Sequence, residues 1–382
     1  MLITMGGFQM QMIARGILVY NLTDNALLTA GVAMGFAPSL LVVSLFGGVL
    51  GDRVERRMLI QSAQAVNAAA AGFVVILLFT GSIHWTHLLG VSIVQGAMFA
   101  LQMPARQAVI PALVGKERVG NAVALNAMAM SLMNVVAPGI GGIIYGMGGP
   151  EAAYLTVTVI MIAGVLVTGM IPKMYPTGNA RNESVLANIA GGFSYLRRSS
   201  LLRVLLIYSV MLALLSMPFR MLIPVFAKDL YGLDPSGVGV LAMMVGVGGV
   251  GASLLAASLR QGQYRGMVLL SAGLISGVSI LIISTLPFYA VGALVMIGVG
   301  FGETIRWGLG QALIMEETDD EYRSRIMSFM MMSFGLMPVA VLPLGFAIEQ
   351  WGAETAAFGM SLILITASVL FILGATQIRR LK

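Results

Sequence analysis

The chain has 382 residues, of which 58% are hydrophobic and only 10% are charged, with 47 glycines and no cysteine. This balance excludes a soluble globular protein, in which roughly a quarter of the residues are charged, and the missing cysteine excludes disulfides and thiolate metal sites. The net charge of +6 is dispersed over short connections, which does not indicate nucleic acid binding, so the sequence predicts a polytopic membrane protein.

Apolar segments of about 20 residues, the length that crosses a bilayer as a helix, follow one another along the whole chain. Six precede a polar stretch at 173–200 and six follow it, which predicts an all-α membrane protein with twelve transmembrane helices. The predicted spans are 2–20, 27–50, 58–80, 86–105, 121–146, 152–172, 201–227, 236–259, 267–286, 288–314, 326–348 and 354–377.

Basic residues distinguish the two sides of the membrane. Of the 22 lysines and arginines, eighteen fall on one set of alternate connections and only Lys228 on the other. Because cytoplasmic loops carry the excess of basic residues, both termini are predicted to be cytoplasmic, in an inner membrane. No basic residue precedes Arg15, so we expect either that the true start lies upstream or that the first helix is shortened.

The chain repeats itself at an offset of about 204 residues. Arg15 aligns with Arg220, and Gln-Ala-Val-Ile at 107–110 aligns with Gln-Ala-Leu-Ile at 311–314. Since six spans are an even number, both copies keep one orientation, which predicts two parallel six-helix repeats.

Three parts follow from this pattern. Residues 1–172 and 201–382 are predicted to form two six-helix bundles, and 173–200 a cytoplasmic linker. Apolar residues at spacings of three and four over 183–198 predict an amphipathic helix within the linker. An ordinary flexible linker is an equal alternative.

A charged loop at 48–57 interrupts the apolar pattern between the second and third spans. Glycine close to an aspartate, followed by three arginines, resembles the corresponding loop of the major facilitator superfamily of transporters. The resemblance implies that Asp52 acts with the eleventh helix to hold the outward-facing state, although Glu55 stands where glycine is usual. Alternatively the charges only fix topology. The candidate gating residues are Gly48, Asp52, Arg53, Arg56 and Arg57.

The fifth span carries a second marker, Ala-Pro-Gly-Ile-Gly-Gly at 137–142. It resembles the fifth-helix signature of antiporting exporters of the superfamily, with Ala137 in place of the first glycine. Proline removes a helix hydrogen bond and glycine lets helices approach closely. Pro138, Gly141 and Gly142 are therefore candidate packing residues, and ordinary helix packing is the alternative interpretation.

Three further stretches, 9–16, 102–111 and 217–220, resemble the enterobactin-exporter and macrolide-efflux branch of the superfamily. These stretches are spread over both halves, so the resemblance covers essentially the whole chain. It does not specify a substrate.

Glu303 is the only carboxylate near the middle of a predicted span. A charge is costly in lipid, so an intramembrane acid is a functional candidate, here as a proton carrier. Arg306 follows by three residues on the same helix face, and the alternative is that Glu303 only neutralises Arg306 as a structural pair.

Arg15 and Arg220 occupy equivalent positions in the first and seventh spans, helices that line the central cavity in the family. Two arginines facing one cavity would favour an anionic or hydrogen-bond-accepting substrate. The alternative is that they extend to the membrane interface without a role in transport. The candidate cavity residues are Gln11, Arg15, Asn134, Arg220 and Trp307.

These features predict a secondary transporter, working as a monomer by alternating access without cofactor or metal. Proton-driven export of a small amphipathic molecule, such as a siderophore or drug, is the expected activity, following the family resemblance. An uptake porter or uniporter and a non-transporting receptor or scaffold are the alternatives. No nucleophile, base and metal ligands gather at one membrane depth, so we do not expect an enzyme.

Overall fold

The computed structural model describes residues 2–51, 54–114, 119–173, 175, 193–259, 264–286, 288–319, 322, 326 and 340–379. All regular elements in these ranges are helices. The first half forms α1 (Leu2–Thr23), α2 (Ala26–Met34), α3 (Phe36–Gly51), α4 (Arg56–Phe79), α5 (Trp85–Val114) and α6 (Val119–Gly169). The second half forms α7 (Ser200–Met221), α8 (Ile223–Tyr231), α9 (Pro235–Ser258), α10 (Arg265–Thr285), α11 (Tyr289–Glu316), α12 (Val341–Gly374) and α13 (Thr376–Arg379). A short helical stretch at 193–198 precedes α7.

Within the described residues, nine helices are long and apolar enough to cross a membrane. Two of them join two predicted spans through a glycine with positive φ, Gly149 in α6 (74°) and Gly352 in α12 (80°). An L side chain is strained in this region, which glycine adopts freely. Most of the predicted eleventh span, 326–348, lies outside the described residues.

The second predicted span is interrupted at Gly35, which separates α2 from α3. The side chain of Asn25 caps the start of α2 by accepting a hydrogen bond from the Leu28 amide at 2.7 Å. Such a cap satisfies one of the amides that a helix start leaves without a partner.

The chain divides into two compact units, which we describe separately. The first unit comprises residues 1–180 and Gly232–Met243, and the second comprises Arg181–Tyr231 and Met244–Lys382. The predicted limits at 172 and 201 stay a prediction.

Each unit pairs its helices in a similar way. In the first unit α1 packs against α6, and α4 packs against α5 and α6. In the second unit α7 packs against α12, and α10 packs against α11 and α12. The helix of the third predicted span in each repeat therefore contacts the next helix and the last long element, as a parallel duplication requires.

Many large apolar side chains point outward in both units. Met147 is 85% exposed, Phe79 70% and Leu166 66%. Extended apolar surface of this kind is unfavourable in water but suits contact with lipid chains. The exposed residues thus agree with a multi-pass membrane protein.

Candidate functional site

The second unit contains a group of charges, which we call the acid cluster: the half-buried Arg220 and the buried Glu303 and Arg306. Arg220 Nη1 on α7 donates to Glu303 Oε2 on α11 at 3.2 Å. Glu303 is only 6% exposed, and its second oxygen, Oε1, has no hydrogen-bond partner among the described residues. The second oxygen of this buried carboxylate can therefore still accept a hydrogen bond from a donor group.

Arg306 completes the acid cluster one turn further along α11. Its Nη1 lies 3.5 Å from the backbone oxygen of Ser209, and its charge acts on Glu303. The hydrogen bond to Glu303, however, comes from Arg220 and not from Arg306. Trp307, the next residue on α11, is half-buried.

A chain of hydrogen bonds surrounds Arg15 inside the first unit, and we call it the Arg15 chain. Arg15 Nη1 on α1 donates to Gln95 Oε1 on α5, and Gln95 Nε2 donates to Gln11 Oε1 at 2.5 Å. Arg15 is 5% exposed, and no carboxylate of the described part of the chain forms a salt bridge with it. Gln11 Nε2 is buried and has no hydrogen-bond partner within the described ranges. The chain therefore ends in a donor, next to a buried positive charge.

Asn134 and the glycines of the fifth span form helix contacts within the first unit. Asn134 Oδ1 accepts a hydrogen bond from Gln9 Nε2, which joins α6 to α1. Gly141 packs against Met10 of α1, with Met10 Cα 3.3 Å from the position of an added Cβ. Gly142 faces Gly239 at the start of α9, and Pro138 is buried beside them. These residues allow close approach of helix backbones.

The charged loop is described only in part. Gly48 lies in α3, while Asp52 and Arg53 lie outside the described residues, as does most of the eleventh span. Arg56 is half-buried at the first position of α4. Gating by Asp52 therefore stays a prediction.

Arg57 ties the start of α4 to the end of α6. Its Nη1 donates to the backbone oxygens of Gly169 at 3.2 Å and Ile171 at 2.9 Å. Its Nε lies 3.7 Å from Glu55 Oε1, so the unusual acid of the loop faces this arginine. Guanidinium donors stabilise carbonyls that a helix end leaves without partners.

Two polar features escaped sequence reasoning. Gln95 is an amide in the middle of a predicted span, a signal that marks it as a candidate for a hydrogen bond between helices without naming its partner. Arg265, at the start of α10, donates from both Nη atoms to Glu316, at the end of α11, at 2.7 and 3.1 Å. Nothing in the sequence connects these two residues, which lie 51 positions apart at the ends of different spans.

A family described as transmembrane secretion effectors matches residues 1–382. Macrolide efflux protein A of Streptococcus pyogenes is 23% identical over 352 residues, covering 88% of this chain and 84% of that protein. Enterobactin exporter EntS of Escherichia coli is 26% identical over 296 residues, covering 75% and 68%.

Solved structures show the same fold at low sequence identity. A nucleoside transporter NupG mutant superposes with a TM-score of 0.79 at 11% identity and 96% coverage of both chains. A POT family transporter in complex with 5-aminolevulinic acid superposes with a TM-score of 0.76 at 12% identity, over 99% of this chain and 95% of that one.

The family match and the exporter relatives identify a multi-pass membrane transporter and not an enzyme. The chain belongs to the transmembrane secretion effector family of the major facilitator superfamily. The predicted fold class and the resemblance to the enterobactin-exporter and macrolide-efflux branch are thereby confirmed.

Proposed function

We propose that this protein exports a small amphipathic molecule across the cell's inner membrane in exchange for protons that flow inward. It works as a monomer by alternating access, with both termini in the cytoplasm. The direction is supported by the names of its relatives, which describe efflux and export. A siderophore or a drug fits the proposed substrate class.

The half-satisfied carboxylate of Glu303 is the observation that carries the proposal. One oxygen is paired with Arg220 and the other is without a partner, in a side chain that is buried within a predicted span. Protonation of Glu303 removes its charge and ends the ion pair with Arg220. Two guanidinium groups, those of Arg220 and Arg306, then remain without their counter-charge.

This change of charge supplies the coupling. The protein favours whichever conformation best separates or solvates the two arginines, so proton binding shifts the conformational equilibrium. Release of the proton on the other side restores the ion pair and returns the transporter to its first conformation. Proton flow thereby drives the cycle without nucleotide hydrolysis.

The Arg15 chain is the proposed substrate contact. A buried arginine with no described carboxylate partner, next to a free amide donor on Gln11, favours a ligand with an anionic or hydrogen-bond-accepting group. The apolar part of an amphipathic substrate would then pack against the aliphatic and aromatic side chains of the helices.

Proton-driven efflux in everted membrane vesicles tests the proposal. We expect Glu303→Gln to abolish proton-driven transport while substrate binding remains, because the amide cannot ionise. Glu317→Gln, an exposed acid next to the end of α11, is the matched control and should transport normally. Unchanged efflux by Glu303→Gln would remove Glu303 from the mechanism.

Two other outcomes would favour the alternatives. Cells that accumulate substrate on expression of the protein would indicate an uptake porter or uniporter. Absence of flux in proteoliposomes, together with a bound protein partner, would indicate a receptor or scaffold.

A further inference from the structure

We propose that a polar pocket inside the first unit binds one ordered water molecule, which joins α4 and α5 by hydrogen bonds. The pocket is distinct from the acid cluster and from the Arg15 chain. We call it the amide pocket, and its polar lining consists of Thr4, Gln64, Asn67, Gln102 and Arg106. Met5, Phe8, Phe99 and Met161 complete its walls.

Unpartnered polar atoms are concentrated in the amide pocket. Gln64 is 2% exposed, and neither its Oε1 nor its Nε2 has a hydrogen-bond partner in the part of the chain that the structure describes. Asn67 Oδ1 and Gln102 Oε1 are buried and equally unpartnered. A buried polar atom without a hydrogen bond is destabilising. Three side chains in one small space therefore indicate a ligand that supplies the missing bonds.

The polar groups that line the pocket favour a neutral ligand that both donates and accepts hydrogen bonds. Arg106 Nη2 donates to Thr4 Oγ1 at 3.1 Å, which places a guanidinium in the lining and disfavours a metal cation. Three unpartnered oxygens, on Gln64, Asn67 and Gln102, disfavour an anion. Rotation of the Gln64 amide exchanges its donor and acceptor but always leaves one of each.

The size of the pocket selects water. About 10 Å³ is open to the centre of a water-sized sphere, which is roughly the minimum that one water molecule needs. Water has two donor hydrogens and two acceptor lone pairs, so one molecule can accept from Gln64 and donate to two of the three oxygens. The contact between α4 and α5 is then mediated in part by water, which exchanges partners easily.

X-ray radiolytic footprinting of the full-length protein tests the site. Hydroxyl radicals made from a bound water oxidise the side chains beside it, and methionine reacts readily. Met161 lines the amide pocket and is 3% exposed, while Met10, at 4%, belongs to the same apolar cluster but does not line the pocket. We expect Met161 to be oxidised several times faster than Met10. Equal rates would overturn the proposal.

Substitution of the amides separates a held water from simple solvent access. Gln64→Leu removes both unpartnered atoms at similar volume and should lower Met161 oxidation to the Met10 rate. Asn67→Leu is the second variant if Gln64→Leu does not yield monodisperse protein. Fast Met161 oxidation that persists in a folded variant would show that the amides hold no water there, and the proposal would fail.

Discussion

Arg220 and Glu303 lie 83 positions apart in the chain, yet their side chains meet at 3.2 Å between α7 and α11 of the second unit. Their exposures differ: the Arg220 side chain is 29% exposed and that of Glu303 only 7%. The arginine therefore retains access to its surroundings while the carboxylate depends on it for a counter-charge. Because of this difference in exposure, loss of Arg220 and loss of Glu303 have different consequences.

We first predict that Arg220→Gln destabilises the protein more than the double variant Arg220→Gln/Glu303→Gln. The single variant removes the hydrogen bond and ion pair that Arg220 gives the buried carboxylate, at a cost of about 1–3 kcal/mol. The double variant removes the charge as well, so part of that loss should be recovered. Thermal unfolding in detergent measures both, with Arg203→Gln at an exposed position of α7 as the control. Strictly additive effects would contradict an energetic link.

A second prediction concerns Gln95, which holds the guanidinium of Arg15. Gln95→Leu removes the acceptor at Oε1, so Arg15 loses its orientation toward the proposed substrate. Since a hydrogen bond to a charged group contributes about 1.5–3 kcal/mol, we expect KM to rise roughly tenfold or more while maximal transport changes little. Gln61→Leu, which loses a different bond between helices, to the Val165 oxygen, is the control. A similar KM for both variants would contradict the role of Gln95.

The sequence predicts the fold well because the membrane restricts it so strongly. Apolar length predicts the helices, since backbone groups in lipid must bond within the helix. What the pattern does not predict is how the helices break and join. The interruption at Gly35 falls inside a predicted span. Gly149 and Gly352 fall in predicted connections, but hydropathy does not predict their positive φ.

The candidate site is predicted less completely, for a physical reason. Glu303, Arg15 and Arg220 can be picked out from the sequence because ionisable residues are rare in membrane spans, where burial of a charge costs free energy. Rarity does not identify partners: spacing along the helix suggests Arg306 for Glu303, whereas Arg220 on another helix donates the bond. Contacts between helices depend on how each helix is rotated about its own axis, and this rotation cannot be read from a single sequence.

The ion pair of Arg265 with Glu316 provides a third prediction. Arg265 is 8% exposed and makes two hydrogen bonds to a more exposed carboxylate. Because Glu316 remains accessible to solvent, we expect Arg265→Gln to lower the free energy of unfolding by only about 1 kcal/mol. The exchange Arg265→Glu with Glu316→Arg should restore most of the loss. If the exchanged variant had a lower free energy of unfolding than Arg265→Glu alone and Glu316→Arg alone, the prediction that this pair stabilises the protein would be wrong.

The last prediction concerns the close approach of α6 to the start of α9. A Cβ at Gly142 would lie 2.7 Å from the Pro235 oxygen and 2.8 Å from the Gly239 nitrogen. Both are backbone atoms, which cannot rotate away as a side chain can, so Gly142→Ala must push the helices apart. We expect a loss of about 1–3 kcal/mol in the free energy of unfolding.

Gly251→Ala, on α9, meets nothing within 4 Å and is the matched control. It should be neutral or stabilising by up to about 1 kcal/mol, because alanine favours the helix. Thermal unfolding of the two variants in detergent decides, and equal melting temperatures would contradict the proposed contact.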